Sequence, residues 1–425
     1  MSIESEIKKN SMSVFRRIYI KKREADGEYS ANWTEIDSQY IKKYGAVTWS
    51  VDEVIPSFYR TSGLTFQVIN KDGRFSSTEE EQSFFSDALT VYRTLVKVEA
   101  GYTATDGTEY PTDPSLFLGF ISEDLNYTED SMVSVKTKHI SSVFEEFSSD
   151  LIVGLGAAQS ASDIVTKIRD HLDSNSISIF QKYISLADWN IQTTTTQYNM
   201  ATSTSLQGLN CWQLMQKLAV AEDYVMHIDG SGKFYFQDKN AIPSVASYHY
   251  SGIGDEDKTY GHNIIGGVSE LLNIRKIYNR IKIKLGKGDT TTSWYIKNES
   301  WNWGDSSSSF IYGIREYDYN NQWLDTATAE TIADTIFSDF SYPKKEVSLK
   351  SKFTPNVVLQ DRVSVTYKTQ RQGEDGDLWA YFLWGYGRFG ERPGYNLDIA
   401  NEDFRVISIK QNVDNFTSEL KLRAL

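Results

Sequence analysis

"RVISIKQNVDNFTSELKLRAL", Arg405 to Leu425, is the stretch that decides the fold. Apolar and polar residues alternate up to Ile407-Ser408 and beyond, a polar turn follows, and alternation returns to the end. A period of two is the mark of a strand with one buried face, and two such runs across a short polar turn make a hairpin. An earlier stretch, "GFISEDLNYTEDSMVSVKTKHI" from Gly119 to Ile140, has the same grammar. Ile121-Ser122 stands where Ile407-Ser408 does, and Asn126 where Asn412 does. One chain thus carries two look-alike hairpins with most of its length between them.

The 425 residues, 40% of them hydrophobic, are enough for two to four cores. Tyr (26) and Trp (10) are abundant and Pro (7) is scarce, which favours strands and broad, rigid contact surfaces. A net charge of −13 disfavours stable binding to nucleic acid or anionic membranes. Cys211 is the single cysteine, so an internal disulfide is excluded, and five scattered histidines offer little for zinc. No signal-peptide core and no run of 18 apolar residues is present, so the chain is expected to be made in the cytoplasm without a membrane span.

Residues 1–12 read as an N-terminal arm. "VFRRIYIKKREADGEYSANWTEI" then gives a hairpin about Asp26-Gly27, and "GLTFQVINKDGRFS" puts Leu64, Phe66 and Val68 on one strand face before a turn at Asp72-Gly73. "STEEEQSFFSDA" suggests a short capped helix. With the hairpin at 119–140 these form a first β-barrel unit, 13–148. "SASDIVTKIRDHL" spaces Ile164, Ile168 and Leu172 for a helix face, as do Cys211, Leu214, Met215 and Leu218. "DYVMHIDGSGKFYFQ" follows as a hairpin, so 150–245 reads as an α+β middle. The polar, Gly-rich 246–267 reads as a linker or loop. The rest, 268–425, reads as a second β-barrel with an insertion at about 300–342, where Ile332, Ile336 and Phe340 share a helix face. The expected fold class is mainly β, with two related barrels flanking an α+β domain.

Candidate chemistry is sparse. "GLGAAQ" (154–159) lacks the third small residue and the strand context of a dinucleotide loop, and reads as an interdomain turn. "VINKDGRFSSTE" places Asn70, Asp72, Gly73 and Glu79 as a calcium loop would, yet Val68 stands at the first ligand position, so a hairpin turn is the better reading. His249 and His262 read as surface histidines. No nucleophile elbow, phosphate loop or zinc-protease motif appears, and no catalytic residue, cofactor or metal is assigned. "SWYIKNESWNWGD" and "DLWAYFLWGYGRFGERPGY" cluster Trp301, Trp303, Trp379 and Trp384, which suit a core, a protein interface or, in a different class of function, stacking against a sugar.

The order of barrel, α+β middle and second barrel resembles the tail hub proteins of bacteriophages and related contractile machines. "NWTEI", "GLTFQVINKDGRF", "RTLVKVEAGY", "LFLGFISEDL", "NCWQLMQKLAVAEDYVMHIDGSGKFYFQ", "LQDRVSVTY" and "VISIKQNVDNFTSELKL", in that order, carry the resemblance. It implies a homotrimer whose two tube-like barrels per chain present six units to a sixfold tail tube. It also implies partners among distal tail, tail tube, tape-measure and spike or fibre proteins, passage of DNA without stable binding, a place in the virion tail tip or baseplate, and no enzyme activity. A distal tail or baseplate ring protein is the nearest alternative. A chain ending after its last strand leads us to expect any spike or lytic domain on another chain.

Overall fold

The computed structural model describes residues 13–24, 29–55, 57–76, 83–86, 88, 90–123, 125–127, 131–152, 154–156, 158–174, 188–198, 208–238, 246–252, 263–285, 293–298, 307–321, 323–368 and 397–425. The first part carries β1 (Ser13–Lys21), β2 (Thr34–Ile36), β3 (Ile41–Lys43), β4 (Ala46–Val51), β5 (Tyr59–Thr61), β6 (Thr65–Ile69), β7 (Leu95–Thr103), β8 (Glu109–Tyr110), β9 (Ser115–Ile121), β10 (Asn126–Tyr127) and β11 (Met132–His139). The middle has β12 (Gln159–Ser160), β13 (Trp189–Ile191), β14 (Gln197–Tyr198), β15 (Tyr224–Ile228) and β16 (Phe234–Asp238). The remainder has β17 (Tyr248–Ser251), β18 (Ser269–Leu272), β19 (Arg280–Leu285), β20 (Ser293–Asn298), β21 (Glu316–Asn320), β22 (Lys345–Lys352), β23 (Arg362–Lys368), β24 (Asp398–Asn412) and β25 (Thr417–Ala424). The protein is mainly β, with a curled half-barrel sheet.

Two large sheets dominate. The first, of nine strands, runs β2-β1-β7-β9-β11-β6-β3, with β8 added on β7 and β10 on β11. The second, of eight strands, runs β17-β23-β24-β25-β22-β18, with β4 added on β24 and β5 on β4. Six strands of each sheet have the same chain order and the same spatial order, β1, β3, β6, β7, β9 and β11 in one corresponding to β17, β18, β22, β23, β24 and β25 in the other. The quoted hairpins, β9–β11 and β24–β25, occupy equivalent places. Every equivalent pairing is antiparallel in both sheets except the one at the end of the path, where β1–β7 is antiparallel and β17–β23 parallel.

Alternation places the apolar faces as the sequence suggests. Leu64, Phe66 and Val68 are buried under the first sheet with Ile18, Val98 and Val135, and Val363, Val365, Ile409 and Leu422 form the core of the second. Each such side chain stabilises by roughly 1.5–3 kcal/mol on burial. A third core is built around the helices. The helix Ala161–Ser174 buries Ile164, Ile168 and Leu172, and the helix Cys211–Glu222 buries Cys211, Leu214, Met215 and Leu218, both on the expected faces. The second helix starts at a capping box of Asn210 and Gln213 and stops at Asp223 in the left-handed region.

Two segments sit elsewhere than the sequence order suggests. β4 and β5 fall in the first stretch of the chain but hydrogen-bond into the second sheet, Trp49 opposite Ile409 and Val47 opposite Gln411. β19 and β20 fall in the last stretch, yet with β21 they make a separate three-stranded sheet. That sheet packs Ile281 and Ile283 with Ile332, Ala333 and Ile336 of the helix Thr326–Phe340, inside the middle core. A strand's alternation fixes which face is buried and leaves open which sheet accepts its edge.

Candidate functional site at the junction of the sheets

The turn of the C-terminal hairpin is a docking element. Val413 is fully buried in the core of the first sheet, and the Asp414 carboxylate accepts Tyr44 N–H at 2.6 Å and Gly45 N–H at 3.0 Å. Gly45 is at φ 85°, and a Cβ there would meet Thr65 O at 2.3 Å, so only glycine fits. Arg16 donates to the carbonyls of Val413 and Asp414 and lies over the rings of Tyr44 and Phe416. Tyr102 OH donates to Phe353 O at 2.8 Å across the same seam. The two large sheets are thereby fastened directly to one another.

A second fastening uses charge. Glu53, just beyond β4, pairs with Lys276 and Lys421, and Glu346 on β22 pairs with the same two lysines at 3.2 Å each. Burial pushes the Glu53 carboxyl up, but the two lysines outweigh it and hold its pKa below the usual 4.5. Arg423 lies on the face of Phe340, 3.5 Å from the ring centroid, and donates to Asp339 O, tying the end of the middle helix to β25.

The third fastening is aromatic. His227 on β15 is stacked between Tyr59 of β5 and Tyr235 of β16, each ring centroid 4.7 Å from its own. Burial lowers its pKa to about 4 against the opposing charge of Asp229, so the ring is neutral at pH 7. Met226 N–H donates to Ser57 O beside it. At the tip of the β15–β16 hairpin, Asp229 accepts Ser231 N–H, Lys233 N–H and Tyr235 OH. Gly230 lies so close to the first sheet that a Cβ would meet Ser115 O at 2.2 Å.

Between these contacts is a cavity of about 380 Å³. Trp49, Leu116, Val225, Leu359 and Ile409 give it apolar walls, and Asp113, Asp229, Asp238 and Asp361 supply acid. Burial raises the Asp361 pKa, although its Oδ2 accepts Val358 N–H at 3.0 Å. No group of three or more histidines, cysteines or acids among the described residues converges as metal ligands would. The near-calcium loop is a turn in its described part: Asn70 Oδ1 accepts Phe75 N–H and Asp72 Oδ1 accepts Arg74 N–H. At Gly154, the carbonyl accepts Gln159 Nε2 and Lys167 Nζ.

Trp301, Trp303, Trp379 and Trp384, the sequence's candidates for stacking, and His262 lie outside the described residues, as does much of the suggested helix near 77–88. His249 is half-buried, its Nδ1 2.7 Å from Ser364 Oγ. Among the described residues a different apolar surface stands out. β18 closes one end of the second sheet with Leu271 57% and Leu272 58% exposed, and Ile274 follows at 54%. Ile311 and Ile314 are exposed nearby, where Arg315 bridges the carbonyls of Ile274 and Tyr312. The equivalent edge strand of the first sheet, β3, instead exposes Lys42 and Lys43, residues that discourage edge pairing.

No family model matches the chain, and no curated protein matches its sequence. Solved structures do match. The 43 kDa tail protein of prophage MuSo2 from Shewanella oneidensis is similar over 96% of this chain and 98% of its own, at 11% identity and a TM-score of 0.50. A tail protein from Neisseria meningitidis MC58 has 10% identity over 96% of each chain and a TM-score of 0.49. Prophage tail protein gp18 from Listeria monocytogenes EGD-e has 12% identity over 96% of this chain and 94% of its own, with a TM-score of 0.48. Nearly end to end, the chain has the fold of a phage tail protein, as the resemblance in its sequence implies.

Proposed function

We propose that this chain is a structural, non-enzymatic protein of a phage tail or baseplate: a homotrimeric hub between a sixfold tail tube and a threefold tip. The observation that carries the reading is the six-strand order that occurs twice in one polypeptide. A closed ring repeats each surface once per subunit, so three chains meet a sixfold partner only if each offers two similar units. The fastening at Asp414, with Arg16 on the carbonyls of Val413 and Asp414, supports this role, because it holds the two sheets of one chain in a fixed relation.

The exposed leucine edge of β18, unpaired among the described residues, is the proposed contact between copies, since an open strand edge with apolar side chains is a template for another chain. Tail tube, distal tail, tape-measure and spike or fibre proteins are the proposed partners, and the virion tail tip the proposed location. The net charge of −13 suits a channel along which DNA slides without being held. Electron microscopy of the purified protein tests the reading. A ring of threefold symmetry with six similar lobes is expected, and a ring of six whole chains would favour a distal tail or baseplate ring protein instead.

A further inference from the structure

We infer that β18 of one copy adds as an antiparallel strand to the open side of β10 in the next copy, repeating between chains the joint that β4 makes on β24 within one chain. The inference rests on the proposed ring and names its joint. The duplication that carries it holds residue by residue. Arg93 and Gln360 both stand in the left-handed region, at φ 70° and 68°, and each donates its N–H at 2.9 Å, to Ile121 O and Val406 O respectively. One residue on, Thr94 O and Asp361 O accept the N–H groups of the same Ile121 and Val406. Ser131 and Phe416, at φ 56° and 49°, immediately precede the return strands β11 and β25.

Rows of paired residues across the sheets fix the register. In the first sheet, Tyr127, Val133, Val68 and Ile41 lie side by side on β10, β11, β6 and β3. In the second, Gln411, Ser418, Ser351 and Ile264 make the same row. There the row continues one strand further, because Gln411 pairs with Val47 of β4. The first row ends at Tyr127, and the far side of β10 is unpaired among the described residues. Val47 follows Ile41 by six residues, and Glu270 of β18 follows Ile264 by six. β18, which holds the place of β3 in the strand order, is thus in register the counterpart of β4, and its far side is open among the described residues too. Exposure agrees. Gln411 is 1% exposed and its counterpart Tyr127 50%, while Val51 is 6% exposed and its counterpart Ile274 54%. What β4 and β24 cover in each other is bare on β18 and β10. Setting Glu270 opposite Tyr127 puts Leu272 opposite Leu125, as Trp49 lies opposite Ile409. An open edge with apolar side chains takes an added strand through main-chain hydrogen bonds. The contact joins unlike surfaces, so copies follow one another head to tail, the arrangement that makes rings.

The test uses the full chain with Glu270→Cys and Tyr127→Cys together. Paired residues on antiparallel strands have Cα atoms about 4.5–5.5 Å apart, within reach of a disulfide, and the native Cys211 is fully buried. Mild oxidation should link copies into species of two and then three chains, which a reductant returns to single chains. Either substitution alone should give no link, and a mixture of the two single variants should give linked pairs only. Linked dimers of the Glu270→Cys variant alone would mean that β18 pairs with itself, and would overturn the inference. Thermal melting verifies that the variants fold, and amide exchange reads the joint in the unaltered chain. Exchange at Glu270 and Tyr127 should slow by about tenfold or more on assembly, and unchanged exchange would overturn the joint. Light scattering separates this inference from the ring itself: a particle of three chains without the cross-link overturns the joint alone, whereas a persistent monomer overturns the ring and the joint with it.

Discussion

Replacing Asp414 by alanine should unfasten the C-terminal hairpin from the first sheet. The carboxylate receives two backbone N–H groups, from Tyr44 at 2.6 Å and Gly45 at 3.0 Å. Hydrogen bonds to a charged group contribute about 1.5–3 kcal/mol each, and this half-buried setting favours the lower figure, so the pair is worth about 3 kcal/mol. Alanine also leaves the Tyr44 N–H without its acceptor. Urea titration should show a lower midpoint with an unchanged slope, the mark of lost stability rather than altered compactness. Amide exchange at Tyr44 and Gly45 should accelerate about 100-fold if local opening carries the loss. Asp414→Asn retains one acceptor and should lose about half as much. If alanine stays within about 0.5 kcal/mol of the native protein, the turn is a passive contact and the reasoning fails.

Other outcomes follow from the same geometry. Leu271→Lys with Leu272→Lys should cost the copy-to-copy contact about 3 kcal/mol, roughly 100-fold in dissociation, seen as a smaller species by light scattering with the circular dichroism unchanged. His139 and His227 are buried neutral, with pKa lowered by burial to about 3 and about 4. Their unfolded forms take up protons below about 6.5 while the folded forms do not, so stability is intact above that pH and falls as pH drops toward the folded values. Each should contribute a loss of roughly 2 kcal/mol between pH 7 and pH 5, and His227→Phe should remove its share in denaturant titrations. Glu53 has the carboxylate sign: its pKa is held down, so its contribution is present at neutral pH and fades below about 4.5. Glu53→Gln should cost about 2 kcal/mol at pH 7 and little at pH 3.

Local structure was legible because it follows from local pattern. The faces of Ile164, Ile168 and Leu172, and of Ile332, Ile336 and Phe340, follow from a 3.6-residue period, and the closing hairpins from a period of two around a polar turn. The hairpin pair also pointed to a repeat, although only the strand order reveals how far it extends. Long-range pairing was not legible. Val47 and Val51 announce a buried strand face, but nothing local says that β4 joins β24, more than 350 residues away. The cavity was invisible for the same reason: Trp49, Asp113, His227, Gln360 and Gln411 come from distant stretches and share no motif. Gln360 looks like an ordinary loop residue, and its left-handed backbone and unfed oxygen emerge only in three dimensions. The candidate tryptophans were chosen for clustering in sequence, which says little about proximity in space.

The central claim is that one chain with two similarly ordered sheets builds a threefold ring. The mass of the purified particle tests it most directly. Three chains of 48.5 kDa, about 145 kDa, are predicted across the concentrations measured. A particle of six chains, or a monomer that persists at high concentration, would contradict it.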